Sequence, residues 1–196
     1  MHLIQKSLFL VLLFPCFLSF AQSNVLLIIA DDLGIDVMNG YQENERMPVT
    51  PHLDQLRQNG LTFTNTWATP QCTPTRAAIL SGKYGIKTGV MRPPGNLDLE
   101  HQSLFSKIKE ATNEQYATAL IGKWHISSPV DYEHPAQHGV DHYEGLFTSS
   151  VEDYYDWEKV TNGEVSQVEE YVTTHLTNAT LDWINAQDKS WFLCLS

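Results

Sequence analysis

Three short groups of residues have the types and spacing to do chemistry. The first is Cys72-Thr73-Pro74-Thr75-Arg76. A cysteine becomes a nucleophile when a helix start or a nearby cation lowers its pKa, and otherwise stays an idle thiol. Arg76 follows four residues later, so on a helix that begins at Cys72 the two side chains share a face. The second group is Asp31-Asp32, which directly follows the apolar run Asn24 to Ala30 (NVLLIIA). Carboxylates at the carboxyl end of a buried strand sit where open α/β sheets place their ligands, although a cap or turn also uses aspartate. The third is Lys123 and His125, after the apolar stretch Tyr116 to Ile121. Two residues apart, they face one side of an extended segment. A histidine there suits proton transfer, because its pKa lies near neutrality.

The elements that position these groups are legible from periodicity. Asn24 to Ala30 has the continuous apolar character of a strand buried on both faces. Thr50 to Leu56 predicts a short helix with Thr50 as N-cap, Pro51 in the first helical position and Gly60 as its end. Leu61 to Trp67 alternates apolar and polar residues, the pattern of a half-buried strand. Arg76 to Ser81 is helical in composition with Gly82 as a stop, and Ser103 to Glu110 predicts another helix. Ser127 to Gly163, rich in Pro, His, Asp and Tyr, reads mostly as irregular surface. Val168 to Asn185 predicts a long amphipathic helix, and Trp191 to Leu195 a further buried strand. Strands alternating with helices make this an α/β layered domain.

Bulk properties narrow the function classes. The 196 residues carry a formal net charge of −11, with 42% hydrophobic and 18% charged residues, which is globular and acidic. A general nucleic-acid binder needs a basic face to neutralise phosphates, so nucleic acid is not an expected partner. Lys6, the apolar run Ser7 to Phe20 and the small-x-small Ser19-Phe20-Ala21 form a signal peptide over residues 1–21, which predicts export to the periplasm or medium. That run is too short for a stable membrane span. Of the three cysteines, Cys16 falls inside the leader, leaving Cys72 and Cys194 and excluding a disulfide-stapled scaffold.

The chain resembles the sulfatase family of the alkaline phosphatase-like superfamily. The resemblance rests on the C-x-P-x-R segment from Cys72 to Arg76 and on Ala77 to Tyr84, which follows it. Asp31-Asp32-Leu33-Gly34, Thr50-Pro51-His52-Leu53-Asp54, Gly122-Lys123-Trp124-His125 and His138-Gly139-Val140-Asp141 support it in the family's order. It implies a mostly parallel central sheet flanked by helices. It also implies oxidation of Cys72 to formylglycine by a formylglycine-generating or sulfatase-maturing enzyme. The hydrated aldehyde carries two hydroxyls on one carbon. One attacks sulfur and expels the alcohol, and loss of the second hydroxyl's proton then releases sulfate and restores the aldehyde.

Further roles follow from the same resemblance. Asp31, Asp32 and residue 72 would hold Ca²⁺ or Mg²⁺, for which hard carboxylate oxygens are suited. Arg76 would orient the hydrate and offset negative charge, Lys123 would bind the sulfate oxygens, and His125 would move protons at residue 72. The substrate would be an aryl sulfate, a sulfated glycan or another sulfated small molecule. The resemblance places residues 22–196 in the N-terminal part of the catalytic domain. A pocket histidine, an Asp-Asn metal pair, a second sulfate-binding lysine and a smaller domain would lie beyond them, so that these residues alone would be inactive. Two other readings stand beside it: a phosphoester or phosphonate hydrolase of the same fold, and a non-catalytic secreted binding protein. His101, His134, His138, His142 and His175 show no ligand spacing and receive no role, although His138 or His142 would fit the border of a pocket.

Overall fold

The computed structural model describes residues 23–41 and 47–196. The leader expected over residues 1–21 therefore lies outside the described residues. Among those residues, no helix is long and apolar enough to cross a membrane.

Among the described residues, six strands form one mixed sheet: β1 (Val25–Ile28), β2 (Ala117–Ile121), β3 (His142–Gly145), β4 (Trp157–Thr161), β5 (Glu164–Val168) and β6 (Trp191–Leu195). Their order is β1-β6-β2-β3-β4-β5. The pairs β1/β6, β6/β2 and β2/β3 are parallel, and β3/β4 and β4/β5 are antiparallel. Parallel strands need crossovers on the sheet faces, and helices supply them. The helices are α1 (Pro51–Asn59), α2 (Cys72–Ser81), α3 (Gly85–Thr88), α4 (Leu104–Ala111), α5 (His134–Gln137) and α6 (Val172–Asn185).

The pleat of the central strands sorts the core into two layers. Leu120 of β2 and Phe192 and Cys194 of β6 join Ala77, Leu80 and Phe105 from α2 and α4 on one face. Ala119, Ile121 and Leu193 point the other way, where Val172 and Leu176 of α6 cover them. All five residues of β2 are buried, as expected for a strand with neighbours on both sides and helices on both faces. Cys72 and Cys194 are both free thiols.

Several expectations need correction. The strand from Asn24 to Ala30 is shorter, and it is not buried on both faces: Val25, Leu26 and Ile28 are exposed, Ile28 by 55%. Its β6 side is paired, while its other side has no strand beside it among the described residues. Apolar composition encodes a capacity for burial, and burial also needs a covering surface. The same reason explains Leu61 to Trp67, which forms no strand and leaves Trp67 92% exposed. An alternating pattern becomes a strand only beside a partner ladder.

Ser127 to Gly163 lies mostly outside helices and strands, as expected, but it is not irregular surface throughout. It contains α5, β3 and β4, and it buries His134 and His138. Polar residues concealed these elements because their polar atoms are satisfied inside the fold rather than by water. The long helix begins at Val172, because residues 164–168 pair with β4 as β5 instead. Asn178-Ala179-Thr180, which matches a glycosylation sequon, lies inside α6 with Thr180 buried and its hydroxyl donating to the Leu176 carbonyl.

Candidate active site

Cys72 is the first residue of α2, with Gln71 in the extended N-cap conformation before it and Gly82 in the left-handed conformation after the last turn. Glycine takes that conformation without the penalty a Cβ would bring, which ends the helix cleanly. The helix starts at Cys72 rather than at Arg76, so the four-residue spacing puts Cys72 and Arg76 on one face of it. Asp31 and Asp32 form a turn just after β1, and Lys123 to His125 follow β2. The parallel pairing of β1, β6 and β2 delivers both groups at the carboxyl ends of the two strands that flank β6.

The side chains converge around Arg76, whose side chain is only 3% exposed. One guanidinium nitrogen, Nη1, donates to the Lys123 carbonyl at 2.7 Å and also to the Ser196 hydroxyl. The other, Nη2, reaches Asp31 Oδ2 at 3.2 Å. Lys123 Nζ donates to the same Asp31 oxygen at 2.6 Å. His125 Nδ1 lies 3.4 Å from Cys72 Sγ and 3.2 Å from the Thr73 hydroxyl. Arg76 Nε is buried without a hydrogen-bond partner. Two fixed cations thus face one engaged carboxylate, a balance that favours an anionic ligand between them.

Lys123 and His125 do not lie in an extended segment as expected. Gly122 and His125 both have positive φ, 115° and 51°, so the chain turns sharply there. A Cβ on Gly122 would run into the Ser196 carbonyl, which explains why glycine stands between the strand and the candidate pair. The turn sends the two side chains to different partners, Lys123 to Asp31 and His125 to Cys72. Asp32 also has positive φ, 55°, and its exposed carboxylate makes none of the polar contacts that join the other five residues.

Local fields shift two of these groups. Burial alone would raise the Asp31 pKa, but the Lys123 hydrogen bond and the charges of Arg76 and Lys123 outweigh it and hold the carboxyl below its usual value. Burial lowers the pKa of His125, and the charges of Lys123 and Arg76 lower it further. Its imidazole is therefore neutral near pH 7 and has a lone pair to accept a proton.

The carboxylates of Asp31 and Asp32 fit a hard divalent ion in kind. They fall short of the six to eight oxygens a calcium ion takes, and among the described residues no cluster of three metal-ligating side chains forms. Sequence reasoning missed Thr73 and Ser196. Thr73 is fully buried at the second position of α2, and the Ser196 hydroxyl donates to the Lys123 carbonyl at 3.0 Å. Neither has a signal of its own, because each acts through a partner distant in sequence.

The chain is similar to known proteins across most of its length. It is 33% identical to the steryl-sulfatase of Rattus norvegicus over 175 residues, which covers 81% of this chain and 30% of the rat protein. To the arylsulfatase D of Homo sapiens it is 37% identical over 139 residues, covering 63% of this chain and 23% of the human one. It thus spans less than a third of the length of these relatives. Among solved structures, BT4656 in complex with its substrate D-glucosamine-2-N,6-O-disulfate superposes with a TM-score of 0.72 at 25% identity, covering 88% of this chain and 33% of the other. The PsFucS1 sulfatase from Pseudoalteromonas sp. gives 0.70 at 24% identity, covering 89% and 43%, which supports the fold. The Sulfatase family model matches residues 23–196, all of the segments just described, and on that match the chain belongs to the sulfatase family.

Proposed function

We propose that this chain carries the nucleophile end of a site that hydrolyses sulfate esters, with residue 72 as a formylglycine made from Cys72 by a maturing enzyme. The observation that supports this most is the placement of Cys72 at the start of α2, 3.4 Å from His125 Nδ1 and beside the Arg76–Asp31–Lys123 cluster. Formylglycine hydrate supplies one hydroxyl to bond sulfur as the alcohol's bond to sulfur breaks, and a second whose proton loss lets sulfate depart. His125 Nδ1 holds or takes the proton at the residue 72 side chain. Lys123 exchanges its contact with Asp31 for the sulfate oxygens, a charge-assisted interaction. Arg76 is locked by the Lys123 carbonyl, Ser196 and Asp31, and it offsets negative charge without having to reorganise.

Asp31 and Asp32, with residue 72, would hold Ca²⁺ or Mg²⁺, and such an ion lowers the pKa of an oxygen bound to it. The substrate class is a sulfated small molecule or glycan, in keeping with the names of the relatives. The active form is an exported, longer polypeptide that supplies further ligands. Residues 22–196 are the N-terminal part of its catalytic domain and are inactive alone.

The test uses the intact protein from a host with the maturing enzyme. Mass spectrometry of the peptide holding residue 72 should show the aldehyde in place of the thiol. An aryl sulfate should be turned over faster than its phosphate analogue, and Cys72→Ala should abolish both rates. Full activity in Cys72→Ala would sink the mechanism, and a preference for the phosphate ester would move the assignment to phosphoryl transfer. Unmodified Cys72 with no turnover at all would favour a binding protein.

A further inference from the structure

Below the turn that delivers Lys123 and His125 lies a buried polar network with no place in the reaction outlined above. Trp124, between the two functional residues, is fully buried. Its indole Nε1–H donates to His134 Nδ1 at 3.2 Å. An indole nitrogen can only donate, so His134 Nδ1 must be the acceptor. The proton of His134 is then on Nε2, which lies 3.0 Å from the Leu97 carbonyl and donates to it. Leu97 in turn donates its own N–H to the Ile126 carbonyl at 2.9 Å. His134 thus ties Trp124, on one side of His125, through Leu97 to Ile126 on the other.

The segment between those two anchors is strained. His125 has φ 51°, a conformation that non-glycine residues keep only when their surroundings over-determine it. Its backbone N–H donates to Phe147 at 3.2 Å, and that of Trp124 to Leu146 at 2.9 Å. These bonds fix the turn to the chain after β3, while the indole fixes it to α5. His134 is 2% exposed, and burial, with the charge of His138, pushes its pKa down to about 4. The imidazole is neutral at pH 7 and does not titrate with catalysis.

We propose that His134 is a positioning residue: through Trp124 and Leu97 it holds His125 in the left-handed conformation that aims Nδ1 at residue 72. The catalytic consequence rests on the sulfatase reading, but the geometry does not. Misplacing a reacting group by about 1 Å costs on the order of 10²-fold, so loosening this support lowers turnover and leaves substrate affinity largely intact.

A double-mutant cycle on the intact, matured protein tests this. His134→Leu and Trp124→Phe should each lower kcat on an aryl sulfate by ~10-fold or more. The double variant should be no worse than the weaker single variant, because both break one linkage. His134→Asn, which keeps an acceptor for the indole, should recover most of the rate, with KM within about twofold throughout. The ring ¹⁵N resonances of His125, identified by their loss in His125→Ala, should move in the two disruptive variants and stay in His134→Asn. Losses that multiply, an Asn variant as poor as the Leu variant, or an unmoved His125 resonance in folded variants would overturn the proposal.

A wild-type protein without sulfatase activity would remove only the reaction assignment, and the resonances would still decide the positioning. If the variants do not fold, the wild-type spectrum decides. An Nε2–H tautomer of His134 with an indole hydrogen bond at Nδ1 upholds the proposal, and an Nδ1–H tautomer overturns it.

Discussion

Asp31 and Lys123 meet in one ion pair at 2.6 Å, yet the strands that deliver them have very different surroundings. β2 lies between β6 and β3, with every residue buried, and the turn after it is tied by backbone bonds to Leu146, Phe147 and Ser196. Among the described residues β1 pairs only with β6; it exposes three of its four residues and leads to a turn whose Asp32 side chain makes no hydrogen bond or ion pair with the site cluster. Both are apolar runs ending in polar residues, but position in the sheet gives one a rigid support and the other a single neighbour. A site built this way holds His125 and Lys123 firmly. Its carboxylate side depends on the cations it pairs with.

That contrast leads to tests of decreasing size. His125→Ala, on the embedded side, should cost about 10²–10⁴ in kcat and leave covalent sulfate on residue 72, read by intact mass after a brief reaction. Unchanged rates would break the assignment of that turn to the chemistry. Asp31→Asn, on the edge side, should lower bound Ca²⁺ or Mg²⁺ and activity together by at least ~10-fold, measured by metal analysis and aryl-sulfate turnover. Full metal content at full rate would make Asp31 only a partner for Arg76 and Lys123.

Stability measurements sharpen the comparison directly. Phe192→Ala removes a buried ring whose centroid lies 5.1 Å from that of the tilted Phe105 ring and should cost roughly 3–5 kcal/mol in urea unfolding of the intact protein. Leu26→Ala on the exposed edge strand should stay within about 0.5 kcal/mol. Equal costs would mean that β1 is covered in the intact protein.

A further test is one of pH. Burial and then His138 push the pKa of His134 down to about 4, whereas the unfolded chain takes its proton near 6.5. The unfolded state therefore binds more protons between those values. The stabilisation is complete above pH 6.5 and is lost as pH falls toward 4. His134→Asn should flatten the thermal midpoint across that window, and an unchanged slope would place the acid sensitivity elsewhere.

The local elements were largely legible in the sequence. Helix α4 carries its Ser103 cap, whose side chain accepts from the Ser106 N–H, and α1 has Pro51 at its first position with Gly60 beyond its end. These signals act within one turn of chain, so they are written locally. The buried histidines were not legible. His134 and His138 both hydrogen-bond the Leu97 carbonyl, a partner more than thirty residues away that no periodicity reveals. Nor was the turn at His125, which its position after a strand suggested would be extended.

The sequence by itself determined the alternation of strands and helices, the family resemblance in the Cys72–Arg76 segment, and the choice of candidate site residues. Each of these depends on residue type and short spacing. Tertiary structure alone decided which atoms meet. Arg76 reaches Ser196 across 120 positions, and Lys123 reaches Asp31 across 92. It also decided that the apolar run of β1 sits at an edge while that of β2 is enclosed. The reason is that burial and long-range hydrogen bonding depend on what the chain folds against. Two strands of similar composition acquire different environments only when the sheet has chosen their neighbours.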